Sequence, residues 1–338
     1  MAGRATIGDV AARAGVSRAT VSRAFTRPHL LTTATVERVR AAADALGYNP
    51  SSIARALATG RFGTIGLIVP DIANPFFPPL IRAAQARAEA AGYATLIGDS
   101  DERPDREDTL IARLAPQVDG FVVASPRLAE DRIRDHARDK PMVLVNRDID
   151  GLARVLVDVA GGITASVEHL FGLGHRRIAY VGGPSASWAN QQRERGAQQA
   201  ASRLGAELII VPAHRPTYEA GQSVAASVAA TRVTAILAFD DIVAQGIIAG
   251  LGAAGLSAPR DMSIVGFDDV LAAMAYPPLT TVAAHCAEAG ANAVDLLIGQ
   301  VELGEVSTEA VTVPTRLVIR SSTAAPRAGD AVIPRQIA

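Results

Sequence analysis

TIGDVAARAGVSRATVSRAF, Thr6 to Phe25, reads as two short helices joined by a sharp turn. Thr6 followed three residues later by Asp9 marks a helix start, because the hydroxyl can accept from an otherwise orphaned amide. Val10, Ala11 and Ala14 then share one helical face. Gly15 falls where the chain must reverse, and glycine reaches left-handed dihedrals without a side-chain clash. Val16 plugs the turn and Ser17 can cap the second helix. Val21 and Phe25, four apart, face back toward the first helix and leave Arg18, Ala19, Thr20, Ser22 and Arg23 outside. A third helix, starting near Thr32 or Thr33, runs through Val36, Val39, Ala43 and Leu46 to Gly47, and its spacing closes a three-helix core.

Charge separates this reading from an ordinary amphipathic helix pair. Nine arginines against three acids (Asp9, Glu37, Asp44) leave +6 through Arg61, so a whole-chain charge of −1 puts −7 on the remainder. A basic end on an acidic body is the footprint of a phosphate-binding module. Next comes NPSSIARALATG, Asn49 to Gly60. Asn49-Pro50 is a cap residue followed by proline at the first helical position, where the missing amide proton is not needed. The helix from Ser51 to Ala58 is too short to be stable alone in water. It folds only against another copy or on DNA, which is a physical basis for a switch.

The body alternates strands and helices. Apolar runs at TIGLIVP, ATLIGD, GFVVAS and MVLVN are followed by a second set at RRIAYVGG, ELIIVPA, TAILAF and MSIVGF. Such alternation predicts parallel sheets covered on both faces. Two sets, with strand-like segments near 154–159, 279–284 and 311–320 passing between them, predict two lobes.

Several function classes are disfavoured. A single cysteine, Cys286, allows no intrachain disulfide. No apolar run approaches a membrane span, and the first residues lack an apolar signal core, so a cytoplasmic protein without a membrane partner is expected. No His, Cys and carboxylate cluster has metal-site spacing, and neither a metal nor another cofactor is expected. GLGAAG, Gly250 to Gly255, matches the dinucleotide fingerprint letter for letter, but it closes a helix instead of opening one. The pairs Asp240-Asp241 and Asp268-Asp269 are adjacent in sequence and do not face one another as a catalytic dyad must. An enzyme or a transport-associated sugar-binding protein is therefore the remote alternative.

From the head through NPSSIARAL and TIGLIVPDIANPFF to about Ser322, the chain resembles the lactose/galactose-repressor family of bacterial transcription regulators. The resemblance implies an all-α helix-turn-helix domain (1–48), a hinge helix and linker (49–62) and a two-lobed α/β core like periplasmic binding proteins (63–322). Its first lobe is expected at 63–160 plus 291–322 and its second at 161–290, while the tail at 323–338, rich in Ala, Pro and Arg, reads from its composition as disordered. It also implies that Arg18 and Ala19 read bases, that Arg23 makes a further base or backbone contact, and that Ser17, Thr20 and Ser22 contact phosphates. Thr6, Asn49 and Ala54 complete the implied DNA set with Leu57, the wedge that partly unstacks the central base step in the minor groove. An alanine at position 19 leaves only apolar contact with thymine methyls, or none.

The same resemblance implies an effector between the lobes. Arg193 matches a forked donor onto ligand oxygens and Asp268 an acceptor across the cleft. Asp240 stands where asparagine is common, and Phe76 and Phe77 form an aromatic wall, although one of the two is expected to serve only as core. Ser125, Asn146 and Trp188 are secondary candidates, and Asp241 and Asp269 read as helix caps or structural partners. The implied protein is a homodimeric, nucleoid-bound regulator of double-stranded operator DNA, controlled by a sugar. A purine, a nucleoside or a corepressor is the alternative ligand.

Overall fold

The computed structural model describes residues 5–48 and 61–327. Asn49, Ala54 and Leu57, with the expected hinge helix, lie outside the described residues, as does the tail beyond Arg327.

The head has three helices, α1 (Ile7–Ala14), α2 (Arg18–Thr26) and α3 (Thr33–Leu46). Thr6 and Asp9 form a reciprocal capping box: the Thr6 amide donates to Asp9 Oδ2 at 2.8 Å and the Asp9 amide to Thr6 Oγ1 at 3.4 Å. Gly15 ends α1 at φ 63°, the left-handed conformation that its place in the turn demands. Ser17 caps α2 through the Thr20 amide at 3.1 Å, and Thr32 caps α3 through the Thr35 amide at 3.4 Å. Val10, Ala11, Ala14, Val21, Ala24, Val39, Ala42 and Ala43 form the core, flanked by partly buried Phe25 and Tyr48 with ring centroids 6.2 Å apart. Small alanines on all three helices let these short elements pack closely. Residues 61–64 group in one unit with Gln117–Asp119. There the Asp119 carboxylate accepts from the amides of Phe62 and Gly63, both at 2.7 Å.

The body holds two six-stranded sheets. The first has the order β11-β5-β4-β3-β1-β2, from β1 (Thr64–Val69), β2 (Ala94–Asp99), β3 (Gly120–Ala124), β4 (Met142–Val145), β5 (Ala153–Val157) and β11 (Ala310–Val313). The second has the order β12-β10-β9-β8-β6-β7, from β6 (Arg177–Gly182), β7 (Glu207–Pro212), β8 (Ala235–Ala238), β9 (Ser263–Asp268), β10 (Thr280–Ala283) and β12 (Arg316–Val318). β3, β4, β8, β9 and β10 are buried along their whole length, as interior parallel strands with helices on both faces require. Helices α4 (Phe77–Ala90), α5 (Pro104–Leu114), α6 (Glu130–Asp139) and α11 (Cys286–Leu303) belong to the first lobe. Helices α7 (Val159–Gly172), α8 (Trp188–Leu204), α9 (Tyr218–Ala230) and α10 (Asp241–Ala253) belong to the second.

The chain crosses between lobes three times, after β5, after β10 and after β11. Two expected boundaries shift as a result. α11 begins at Cys286 and packs on α4 and on β3 to β5, so 286–290 belongs to the first lobe. β12 pairs antiparallel with β10, Thr281 opposite Val318, so 316–322 belongs to the second lobe.

The tail is ordered further than composition suggested. Ser322 Oγ donates to Ile264 O at 2.6 Å, and the Ala324 amide donates to Ser263 Oγ at 3.0 Å. His175, buried at 1 % exposure, holds Thr234 Oγ1 at 2.8 Å through Nδ1 and Ala324 O at 2.9 Å through Nε2. Arg327 pairs with Asp261 at 2.7 Å. Side-chain partners far back in sequence tie down a segment that is polar and Pro-rich on its own, so 323–327 belongs to the fold.

Candidate functional site: an interlobe cleft and an exposed helix

Three side chains at the carboxyl ends of strands depart from ordinary backbone geometry. Ser125 follows β3 at φ 47°, Asn146 follows β4 at φ 53°, and Asp268 ends β9 at φ 111°. Left-handed backbone costs a residue with a side chain on the order of 1–3 kcal/mol and persists only where surrounding structure imposes it. All three line one cleft between the lobes, at the strand ends where α/β folds hold their ligands.

Arg193, on α8, is the cleft's central cation. It is 4 % exposed and so is not a helix-surface arginine. Its guanidinium lies 3.7 Å from the Phe267 ring centroid and 4.6 Å from that of Phe239, donates to Phe239 O, and reaches Asp268 Oδ1 at 3.5 Å. Its Nε is buried with no hydrogen-bond partner among the described residues, which is costly for a donor.

Asp240 lies two residues past β8 and is the N-cap of α10, accepting from the Val243 amide at 2.9 Å. Its other oxygen accepts from Asn74 Nδ2 at 2.9 Å. The cap is therefore Asp240 itself and not Asp241. Asp241 turns inward instead, where Thr281 Oγ1 donates to it at 2.6 Å, and Asp269 pairs with Arg320 at 2.7 Å. Burial pushes all three interior carboxyls up: Asp240, Asp241 to about 7, and Asp268 well above the usual carboxylate range despite the facing Arg193.

Phe76 and Phe77 are 6 % and 5 % exposed, meet edge to face at 5.1 Å, and both line the cleft, so neither serves as core alone. Asn146 Oδ1 accepts from the Val157 amide at 3.1 Å, which aims its NH₂ end elsewhere. Trp188 is the expectation that fails. It is half-buried at the start of α8 and does not line the cleft; its neighbours Ser187 and Ala189 do, because the first turn of the helix rotates the indole away.

Sequence reasoning missed Asn74, Arg127, Ser187, Ala189 and Phe239, which also line the cleft. Arg127 is paired with Glu102 at 2.5 Å, and Glu107 accepts from its amide at 2.9 Å. Only Asn74, inside the quoted TIGLIVPDIANPFF beside the two phenylalanines, carried a signal that could have been read.

In the head, Ser17, Arg18, Ala19 and Arg23 are exposed along α2, while Thr20 and Ser22 are half-buried. The Arg18 guanidinium lies against Gly8, where a Cβ would stand 3.0 Å from its Nη2. Thr6 Oγ1 accepts from the Asp9 amide and donates to Asp9 Oδ2 at 2.7 Å, and Ser17 Oγ accepts from the Thr20 amide and shares a hydrogen bond with Thr20 Oγ1 at 2.9 Å. GLGAAG sits at the carboxyl end of α10 with Gly255 at φ 76°, a helix end and not a nucleotide loop. Among the described residues no His, Cys, Asp and Glu group is placed to hold a metal ion, and no helix is long and apolar enough to cross a membrane.

A helix-turn-helix head on a two-lobed binding-protein body defines a ligand-responsive regulator of transcription. Residues 6–51 match the bacterial regulatory proteins of the lacI family, and residues 167–323 match the periplasmic binding protein-like domain. The HTH-type transcriptional repressor CytR of Escherichia coli (strain K12) is 34% identical over 333 residues, 95% of this chain and 97% of its own. The Lac repressor dimer bound to operator and the anti-inducer ONPF superposes with a TM-score of 0.85 at 26% identity, over 96% of this chain and all of that one. A LacI family transcriptional regulator from Enterococcus faecium with bound ribose superposes with a TM-score of 0.71 at 29% identity, covering 78% of this chain and 100% of that one. The chain belongs to the lacI family of bacterial regulatory proteins.

Proposed function

We propose that this protein is a transcriptional repressor that binds a pseudo-palindromic operator as a homodimer and is controlled by a small sugar held between its lobes. The observation that carries the effector half is the buried, unpartnered Nε of Arg193 in a cleft lined by Asp268 and aromatic rings. A guanidinium edge beside a carboxylate suits a hydroxyl, which accepts from one and donates to the other. The ribose bound by the E. faecium relative supports a sugar. The rings of Phe76, Phe77 and Phe239 favour a nucleoside as the second reading, since a base can stack on them.

Ser17, Arg18, Ala19, Thr20, Ser22 and Arg23 present α2 to the major groove, with Thr6 at the start of α1 beside the phosphates. Asn49, Ala54 and Leu57 belong to the hinge helices that pair in the minor groove. The operator-bound Lac repressor dimer supports this arrangement. Exposed apolar side chains, Ile97 on the edge strand β2 with Met274 and Tyr276 in the second lobe, suit contact with a second copy. As a DNA-bound regulator the protein works in the cytoplasm, on the nucleoid. The reading is of a regulator and not of an enzyme, as its relatives are regulators, and Asp240 and Asp241 have separate structural tasks.

The test is retardation of the gene's own upstream DNA. Specific complexes should survive excess competitor DNA at moderate salt. Binding that competitor abolishes, or that salt removes equally from any duplex, would contradict the reading.

A further inference from the structure

Asn74 and Asp240 belong to different lobes. Asn74 lies in the loop after β1, and Asp240 stands between β8 and α10. Asn74 Nδ2 donates to Asp240 Oδ2 at 2.9 Å and reaches Pro216 O at 3.5 Å, also in the second lobe. Its Oδ1 accepts from the Phe76 amide at 2.9 Å. The side chain is 6 % exposed and committed at both ends, and those partners leave one orientation for the amide. Beside it, Arg215 of the second lobe reaches Asp101 of the first at 3.2 Å, an exposed pair of little strength alone.

Asp240 is equally committed. Oδ1 takes the Val243 amide at 2.9 Å and Oδ2 takes Asn74. Asp268 differs: Arg193 reaches its Oδ1, and no hydrogen bond among the described residues uses its Oδ2. The two cleft carboxylates thus divide the work. One faces protein groups and the other has an oxygen to offer.

We infer that Asp240 is a positioning residue and not an effector contact: through Asn74 it latches the lobes together and sets the aromatic wall of Phe76 and Phe77. This rests on the cleft being the effector site. The bonds are made by protein groups alone, so the latch fixes a preferred interlobe angle on which any ligand acts. Both Asp240 oxygens accept, and a hydrogen bond inside a protein is electrostatically stronger than one in water. The acceptor's position on the first turn of α10 ties lobe closure to a rigid element.

The experiment uses the full-length chain with spin labels at the exposed positions Asp131 and Ser202, one in each lobe, in a Cys286→Ala background. Asp240→Ser keeps a capping oxygen for the Val243 amide but is too short to reach Asn74. Asn74→Ala removes the donor. Each single variant should lengthen and broaden the interlobe distance distribution, and the double variant should go no further than either. Unchanged distributions in the single variants, or a double variant that sums two separate shifts, would overturn the latch. The same proteins are titrated with the gene's own upstream DNA. Wider lobes with altered DNA affinity support both proposals. Wider lobes with unaltered affinity leave the latch standing and overturn the control of DNA by the cleft.

Discussion

Arg193 Nη2 stands 3.5 Å from Asp268 Oδ1, a buried pair joining α8 to the end of β9 with the arginine stacked on Phe267. Both residues come from the second lobe, so the pair is present at any interlobe angle. It is a fixed half-site that shares the cleft with residues of the first lobe. Its contact is long for a charge-assisted bond, and Arg193 Nε remains buried and unpartnered. The site is built to be completed by something else.

Arg193→Lys keeps a positive charge facing Asp268 and removes the planar fork. The variant should fold, and a sugar that raises the melting temperature of the unaltered protein should raise the variant's by much less. Equal shifts would mean that the guanidinium does not meet the ligand.

Leu57→Ala should lower affinity for the gene's own upstream DNA and reduce its bending, since a wedge pays for unstacking by wrapping more DNA onto the protein. Circular-permutation gel shifts measure the bend. An unchanged angle at reduced affinity would remove the wedge and leave Leu57 as a hinge-packing residue.

Thr32→Ala deletes the side-chain cap of α3 without touching α2. The head should lose about 1 kcal/mol of stability. Amide hydrogen exchange across Thr33–Leu46 should rise about five-fold, which is the same energy read as an opening equilibrium.

His175 is expected to make stability fall in mild acid. Burial lowers its pKa from 6.5, so the folded state resists a proton that the unfolded chain accepts. His169, which meets Thr323 Oγ1 at 3.0 Å, is shifted the same way by burial. Their contribution is complete above 6.5 and is lost as pH falls below it toward the lowered values. The drop in melting temperature between about pH 7.5 and about pH 5.5 should shrink in His175→Gln. An undiminished drop would place the acid sensitivity elsewhere.

Local rules carried the head from sequence almost residue by residue. Thr6, Gly15, Ser17, Thr32 and Gly47 each act within a few residues, and the structure has them as caps or turns. The order of strands and helices was legible for the same reason. What sequence withheld was long-range. Asn74 meets Asp240 across 166 positions, and Ala324 meets His175 across 149. Nothing in either local pattern announces its partner, so the latch was missed and residues 323–327 were assigned to a loose tail. Trp188 failed because a helix's first turn rotates neighbours about 100° apart, so a one-residue difference in phase exchanges the cleft for the surface.

The central claim is that occupancy of the interlobe cleft changes affinity for DNA. The direct measurement is fluorescence anisotropy of the gene's own upstream duplex, titrated with the full-length protein at fixed salt, with and without a saturating sugar identified by its melting shift. The predicted result is a change in Kd of roughly 5- to 150-fold in the unaltered protein, and little or none in Arg193→Lys. The same Kd with and without a bound sugar, or an equal change in Arg193→Lys, would contradict the account.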